Sequence, residues 1–152
     1  MLQGTTYLNL DAKGRLAVPA KHRKDLGAGD GSGVVVTVNP YDRCLWLYPE
    51  REWQSVVQKV IRLPSSQSDV RILQRLLVGY AEELNLDGQG RILLGKALRK
   101  YAGLDRQVAF VGQGNKFEIW DAEAWDQGQD VWIDKLRGER DQRSSELTNL
   151  AL

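Results

Sequence analysis

What this sequence has little of narrows its function early. Its 152 residues include one cysteine, one histidine and one methionine. A single thiol, Cys44, excludes an intramolecular disulfide framework and suits a reducing compartment. With one cysteine and one histidine there is no zinc-site spacing, and no Ser-His-Asp set forms around His22. His22 sits in a basic segment without an evident partner and reads as a surface residue, while Cys44 opens an apolar strand and reads as a core thiol. The glycine clusters "GAGDGSG" and "VGQGNK" lack the Gly-Lys-Ser/Thr ending of a phosphate loop and read as turns. No apolar run approaches the roughly 20 residues that span a bilayer. The opening "LQGTTYLNLD" has neither the basic start nor the apolar run of a secretory signal, so a cytoplasmic location is expected. An enzyme, a metal site, a cofactor and a small-molecule substrate are all unexpected.

Net charge is scarce too, at +1. Proteins that coat nucleic acid indiscriminately are far more basic. The local distribution says more. Lys13, Arg15, Lys21, Arg23 and Lys24 crowd a dozen residues that contain no acid. By itself such a run is usually a solvated face.

What the sequence does contain is a repeat. "NLDAKGRLAVP", from Asn9 to Pro19, is answered by "NLDGQGRILLG", from Asn85 to Gly95. At one constant offset Leu10, Asp11, Gly14, Arg15, Arg23, Lys24 and Gly27 meet Leu86, Asp87, Gly90, Arg91, Arg99, Lys100 and Gly103. "VVVTV" and "CLWLYPEREW" are then answered by "VAFV" and "KFEIWDAEAW" at a slightly shorter offset. Two copies are too few for an open solenoid, so two half-domains packed on each other are expected.

Each copy reads as strand, tight turn, strand, short helix, strand, turn, strand, longer helix. Pro19 opens the short helix and Gly27 stops it. Val56, Val57, Val60 and Ile61 share one face of a helix, as do Ile72, Leu73, Leu76, Leu77 and Tyr80 after "PSSQSD", whose Ser and Asp are expected to cap it. These faces belong to the core or to contacts between protomers. Trp125, Trp132 and Leu136 continue the pattern in the second copy, and the stretch beyond Gly138 reads as a frayed helix or tail.

In the repeated turn, Leu10 is expected to face Leu16, and Asp11 to face Arg15, across the loop Ala12-Lys13-Gly14. A three-residue hairpin loop needs a left-handed residue at its end, the place Gly14 and Gly90 occupy. Asp11 and Asp87 can pair with Arg15 and Arg91 and cap the turn amides. A surface pair contributes little stability, a weak reason to build it twice. Fixing a guanidinium is a better one. Arginine and lysine held on a two-stranded ribbon suit guanine edges in a DNA major groove.

The segments "GTTYLNLDAKGRLAVP", "CLWLYPEREW", "LDGQGRILL" and "VGQGNKFEIW" closely resemble the MraZ proteins of bacteria, from Gly4 to Trp125. The resemblance implies two tandem AbrB-like swapped-hairpin (double-split β-barrel) half-domains in a mixed α+β, β-rich fold with flanking helices. The corresponding division is a first repeat at 5–52, a helical connection at 53–80, a second repeat at 81–124 and a C-terminal helix and tail at 125–152. It also implies a regulator, expected to repress the division and cell-wall gene cluster that includes its own operon. Double-stranded DNA at promoter direct repeats and a ring-like homo-oligomer are the implied partners, in the cytoplasm at the nucleoid and not at a membrane. The DNA-binding candidates are Lys13, Arg15, Lys21, Arg23, Lys24, Arg91 and Arg99; Asp11, Gly14, Asp87 and Gly90 orient the loops. Two positions depart from the first copy: Gln89 stands opposite Lys13, and Gly95-Lys96 opposite Pro19-Ala20. They leave open whether the second turn reads DNA or serves assembly. A structural oligomer that binds no DNA is the competing reading.

Overall fold

The computed structural model describes residues 1–138 and 143–152. In chain order the first half contributes β1 (Thr5–Asn9), β2 (Arg15–Ala17), α1 (Ala20–Arg23), β3 (Val34–Val38), β4 (Leu45–Pro49) and α2 (Glu50–Ile61). After α3 (Ser68–Leu77) the second half repeats the order as β5 (Glu82–Leu84), β6 (Arg91–Leu93), α4 (Lys96–Tyr101), β7 (Gln107–Gly112), β8 (Phe117–Asp121) and α5 (Ala122–Gly138). A short α6 (Ser145–Thr148) follows, with Ser144 Oγ accepting from Leu147 N at its start. Part of the segment read as a frayed helix or tail is therefore helical, and residues 139–142 of it lie outside the described ones.

The strands are exchanged between the halves. One six-stranded antiparallel sheet runs in the order β1-β7-β8-β4-β3-β5, and β2 pairs with β6 in a second, two-stranded sheet. Swapping the halves leaves this order unchanged, so an approximate two-fold axis passes between β4 and β8 and between β2 and β6. It is the interleaved, swapped-hairpin arrangement that the resemblance implied; the repeat by itself implied only two half-domains packed on each other.

One expectation fails here. β1 and β2 do not continue as a two-stranded ribbon beyond their turn: β1 pairs along its length with β7, and β2 with β6. Apolar burial is the reason. Leu10, Leu16 and Val18 all belong to the core between the two sheets, with Ile92, Leu94, Val108 and Phe110. An exposed ribbon would leave one face of each strand in water, whereas burying a Leu, Ile or Val side chain gains about 1.5–3 kcal/mol.

The other face of the large sheet carries the helices. Trp53 and Val60 of α2 and Leu77 of α3 bury against Val35 and Tyr48, while Trp125 of α5 packs against Ala109, Val111 and Trp120. Ile61, Ile72 and Leu136, placed on these faces by periodicity, are about half exposed. The expected Ser and Asp caps of α3 are absent. Gln67 takes the N-cap position without a side-chain bond, and Asp69, already in the first turn, accepts from Val70 N instead.

Cys44 is buried, as expected, with Asn39 Nδ2 donating to its sulfur at 3.3 Å. His22 is not on the surface. Its position on α1 turns it inward, edge-on to Phe117 at 4.8 Å, and Phe117 stacks on Phe110 at 4.1 Å. Burial is the main cause that lowers its pKa from the ordinary 6.5; Lys21 adds to this and Asp25 opposes it.

Two outcomes follow from this packing. A fragment ending at Gly79 lacks the partner strands of β1 and β2, so far-UV circular dichroism on dilution should show it folding only as a dimer; a folded monomer would contradict the interleaving. For His22, the unfolded chain binds a proton that the folded chain resists, so stability should fall as pH drops below about 6.5. His22→Asn should flatten that dependence in urea melts between pH 7.5 and 5.5, where no other side chain of ordinary pKa titrates.

Candidate nucleic-acid interface

Each repeated turn is built by its aspartate. In the first, Asp11 Oδ1 accepts from the backbone amides of Lys13 and Arg15, both at 2.9 Å. Asp11 Oδ2 accepts from Arg15 Nε at 2.6 Å, and the turn closes through Asp11 N to Arg15 O and Gly14 N to Asp11 O. The second turn repeats this arrangement. Asp87 Oδ1 accepts from Gln89 N and Arg91 N at 2.9 Å, and Oδ2 from Arg91 Nε at 2.8 Å. Gly14 and Gly90 hold φ of +87° and +74°, the left-handed conformation expected of them.

Both arginines meet their aspartate through Nε alone. Among the described residues their terminal Nη groups have no hydrogen-bond partner. The carboxylate fixes the guanidinium plane and leaves its outer donor edge open, the edge that pairs with guanine O6 and N7. Lys13 is exposed at the tip of the first turn, and Gln89 at the tip of the second.

The structure divides the remaining candidates. Lys21 and Lys24 are exposed on and just after α1, without a hydrogen-bond or ion-pair partner among the described residues. Arg23 and Arg99 are half-buried and already engaged. Arg23 Nε donates to Val18 O at 2.9 Å, and Arg99 Nε to Leu94 O at 3.1 Å. Each lies beneath a glycine of the opposite half: a Cβ on Gly14 would come within 2.8 Å of the Arg99 guanidinium, and one on Gly90 would collide with Arg23. The same glycines accept backbone bonds across the halves, Gly14 O from Leu94 N at 3.0 Å and Gly90 O from Val18 N at 2.9 Å. The periodicity of the repeat placed these arginines among the candidates; it held no signal that each lies beneath the other half's turn.

The two turns differ in their neighbours. The glycine-rich loop after α1, with Gly29, Gly31 and Ser32, flanks the second turn across an open groove of about 590 Å³ that Asn85, Asp87 and Gly88 line on the other side. The corresponding segment of the second half, Gly103 to Arg106, is shorter, and Arg106 O accepts from Leu10 N at 2.7 Å beside the first turn.

The Asp11 carboxyl is held at about 2, below the ordinary 3.8, first by the Arg15 amide and then by the Arg15 side chain and Lys13 amide, against some loss of hydration. The amide of Arg91 leads the same lowering at Asp87. The stabilisation from this carboxylate should be complete above about pH 3.8 and vanish as pH falls towards 2. In an NMR titration, Arg15→Ala should raise the Asp11 midpoint only part of the way, because the two backbone donors remain. A full return to 3.8 would place the whole effect in the ion pair.

The sequence profile described as "MraZ protein, putative antitoxin-like" matches residues 1–76 and again 77–143. Similar proteins carry the name transcriptional regulator MraZ. The one from Alkalilimnicola ehrlichii is 47% identical over 153 residues, and the one from Halorhodospira halophila 45% identical over 152, each alignment spanning all of both chains. A third, from Methylobacillus flagellatus, is 51% identical over 125 residues, which is 82% of this chain and 84% of that relative. With its profile matched twice along the chain and its members aligned end to end, the family to which this chain belongs is MraZ.

Proposed function

We propose that the protein is a DNA-binding transcriptional regulator that reads major-groove base edges with the arginines of its two Asp-Arg turns. The observation that carries this is the open donor edge of Arg15 and Arg91, each fixed by an aspartate that in turn is fixed by backbone amides. Pre-set donors lose little freedom on binding, which favours base discrimination over loose charge attraction. Lys13 adds a contact at the tip of the first turn, and Lys21 and Lys24 reach phosphates. The second turn, with Gln89 at its tip, contributes less. The names of the relatives and the resemblance in the motifs support regulation of transcription. Repression of the division and cell-wall gene cluster at direct repeats upstream of its own operon, in the cytoplasm at the nucleoid, completes the reading. No helix among the described residues is long and apolar enough to cross a membrane.

A homo-oligomer belongs to the same reading. Ile61, Leu63 and Ile72 at the α2–α3 corner and Val131, Ile133 and Leu136 on α5 stay well exposed. These apolar side chains suit contacts between copies, leaving the turns free for DNA. The division into repeats at 5–52 and 81–124, with helical segments at 53–80 and 125–152, assigns reading to the former and assembly to the latter. A ring that presents several first turns would multiply one small contact by effective concentration.

Arg15→Ala should leave the melting midpoint nearly unchanged. Its affinity for upstream direct repeats should fall by roughly 5- to 150-fold per repeat engaged, the cost of one bidentate base contact. The measurement is a retardation assay on operator and scrambled DNA at several salt concentrations. A folded variant with unchanged discrimination would remove base reading from this turn, and binding with no sequence preference by the native protein would favour the scaffold reading.

A further inference from the structure

We infer that Arg23 and Arg99 are positioning residues acting across the halves: Arg99 of the second half sets the first reading turn, and Arg23 of the first half sets the second. Three observations converge on each turn. The left-handed glycine leaves no space for a side chain because the guanidinium of the opposite half fills it. Its carbonyl accepts a backbone bond from Leu94 or Val18 of the opposite half. The carbonyl of that same residue holds the arginine by Nε. Gly14, Leu94 and Arg99 thus form one closed unit, and Gly90, Val18 and Arg23 another.

The core holds the two ends of the first turn through Leu10 and Leu16, and its aspartate shapes it, but neither supports the tip from below. Asp11 fixes Lys13 and Arg15 relative to each other. The plane of Arg99 beneath Gly14 supplies the support from below. Base reading tolerates little error in position, since a guanidinium that tilts loses one of its two bonds to guanine. Arginine suits the place for its shape: its flat face packs on the glycine while Nε donates in the plane, which a lysine ammonium cannot reproduce. The two halves consequently read DNA as a coupled pair.

This inference rests on the DNA-reading proposal for its consequence but not for its geometry, and two measurements separate them. The first needs no DNA. In the full-length protein, amide exchange of Gly14 and Arg15 should quicken on the order of tenfold in Arg99→Ala, as expected for loss of a charged support, with the Asp87–Arg91 turn little changed. Arg23→Ala should do the converse. Faster exchange in the arginine's own half, or in neither turn, overturns the coupling.

The second measurement selects bound sequences from a randomised DNA library. Arg99→Ala should flatten base preference at the operator positions that Arg15→Ala flattens, and Arg23→Ala at those that Arg91→Ala flattens. Arg99→Lys keeps the charge and should not rescue. Uniform weakening across sequences with a salt slope reduced by about one, restored in Arg99→Lys, would make Arg99 a phosphate contact and overturn the positioning role. If the native protein shows no base preference, the DNA reading fails while the exchange result still decides the coupling.

Discussion

Two three-residue strands crossing at the approximate two-fold axis hold this molecule together. Leu16 of β2 lies opposite Ile92 of β6, both essentially without solvent contact, and neither strand has a partner inside its own half. Each half is an incomplete object: β1 needs β7, and β5 needs β3. Truncating either central side chain to alanine would open a cavity shared by both halves, a change that typically costs about 2–5 kcal/mol. The repeat is therefore a requirement of folding.

From that crossing, the position of the two Asp-Arg turns follows. β2 and β6 are short because the chain must leave them at once for α1 and α4, and the turns before them are tight because β1 and β5 lie in the large sheet. A turn that joins two sheets is held at both ends by the core. It can therefore afford an exposed tip. Apolar burial sets where the turn is, the aspartate sets its shape, and the opposite half's arginine fills the space beneath its glycine.

The helical side of the sheet works on different terms. α2, α3 and α5 bury enough to stay attached, yet they leave isoleucine, valine and leucine in water at two separate places. The two-fold relation is imperfect here, since α3 has only the four-residue α6 as its counterpart in chain order and the first half has the longer glycine-rich loop. Equivalent turns therefore have unequal surroundings.

The sequence by itself determined a good deal. Repetition of Leu10, Asp11, Gly14 and Arg15 at Leu86, Asp87, Gly90 and Arg91 revealed both turns, because aspartate capping and a left-handed glycine are local chemistry that shows at short spacing. Strand alternation and the apolar faces of α2 and α3 were legible for the same reason. What only the tertiary structure decided was partnership. Periodicity says that Leu16 and Val18 face a core but not whose core it is, so a ribbon and an exchange between halves look alike in one dimension. His22 read as exposed because its neighbours are basic, whereas the short helix turns it onto Phe117. Arg23 and Arg99 read as further DNA-binding candidates, alike in kind to Lys21 and Lys24. Their Nε bonds and the glycines above them exist only once the two halves have been folded through each other.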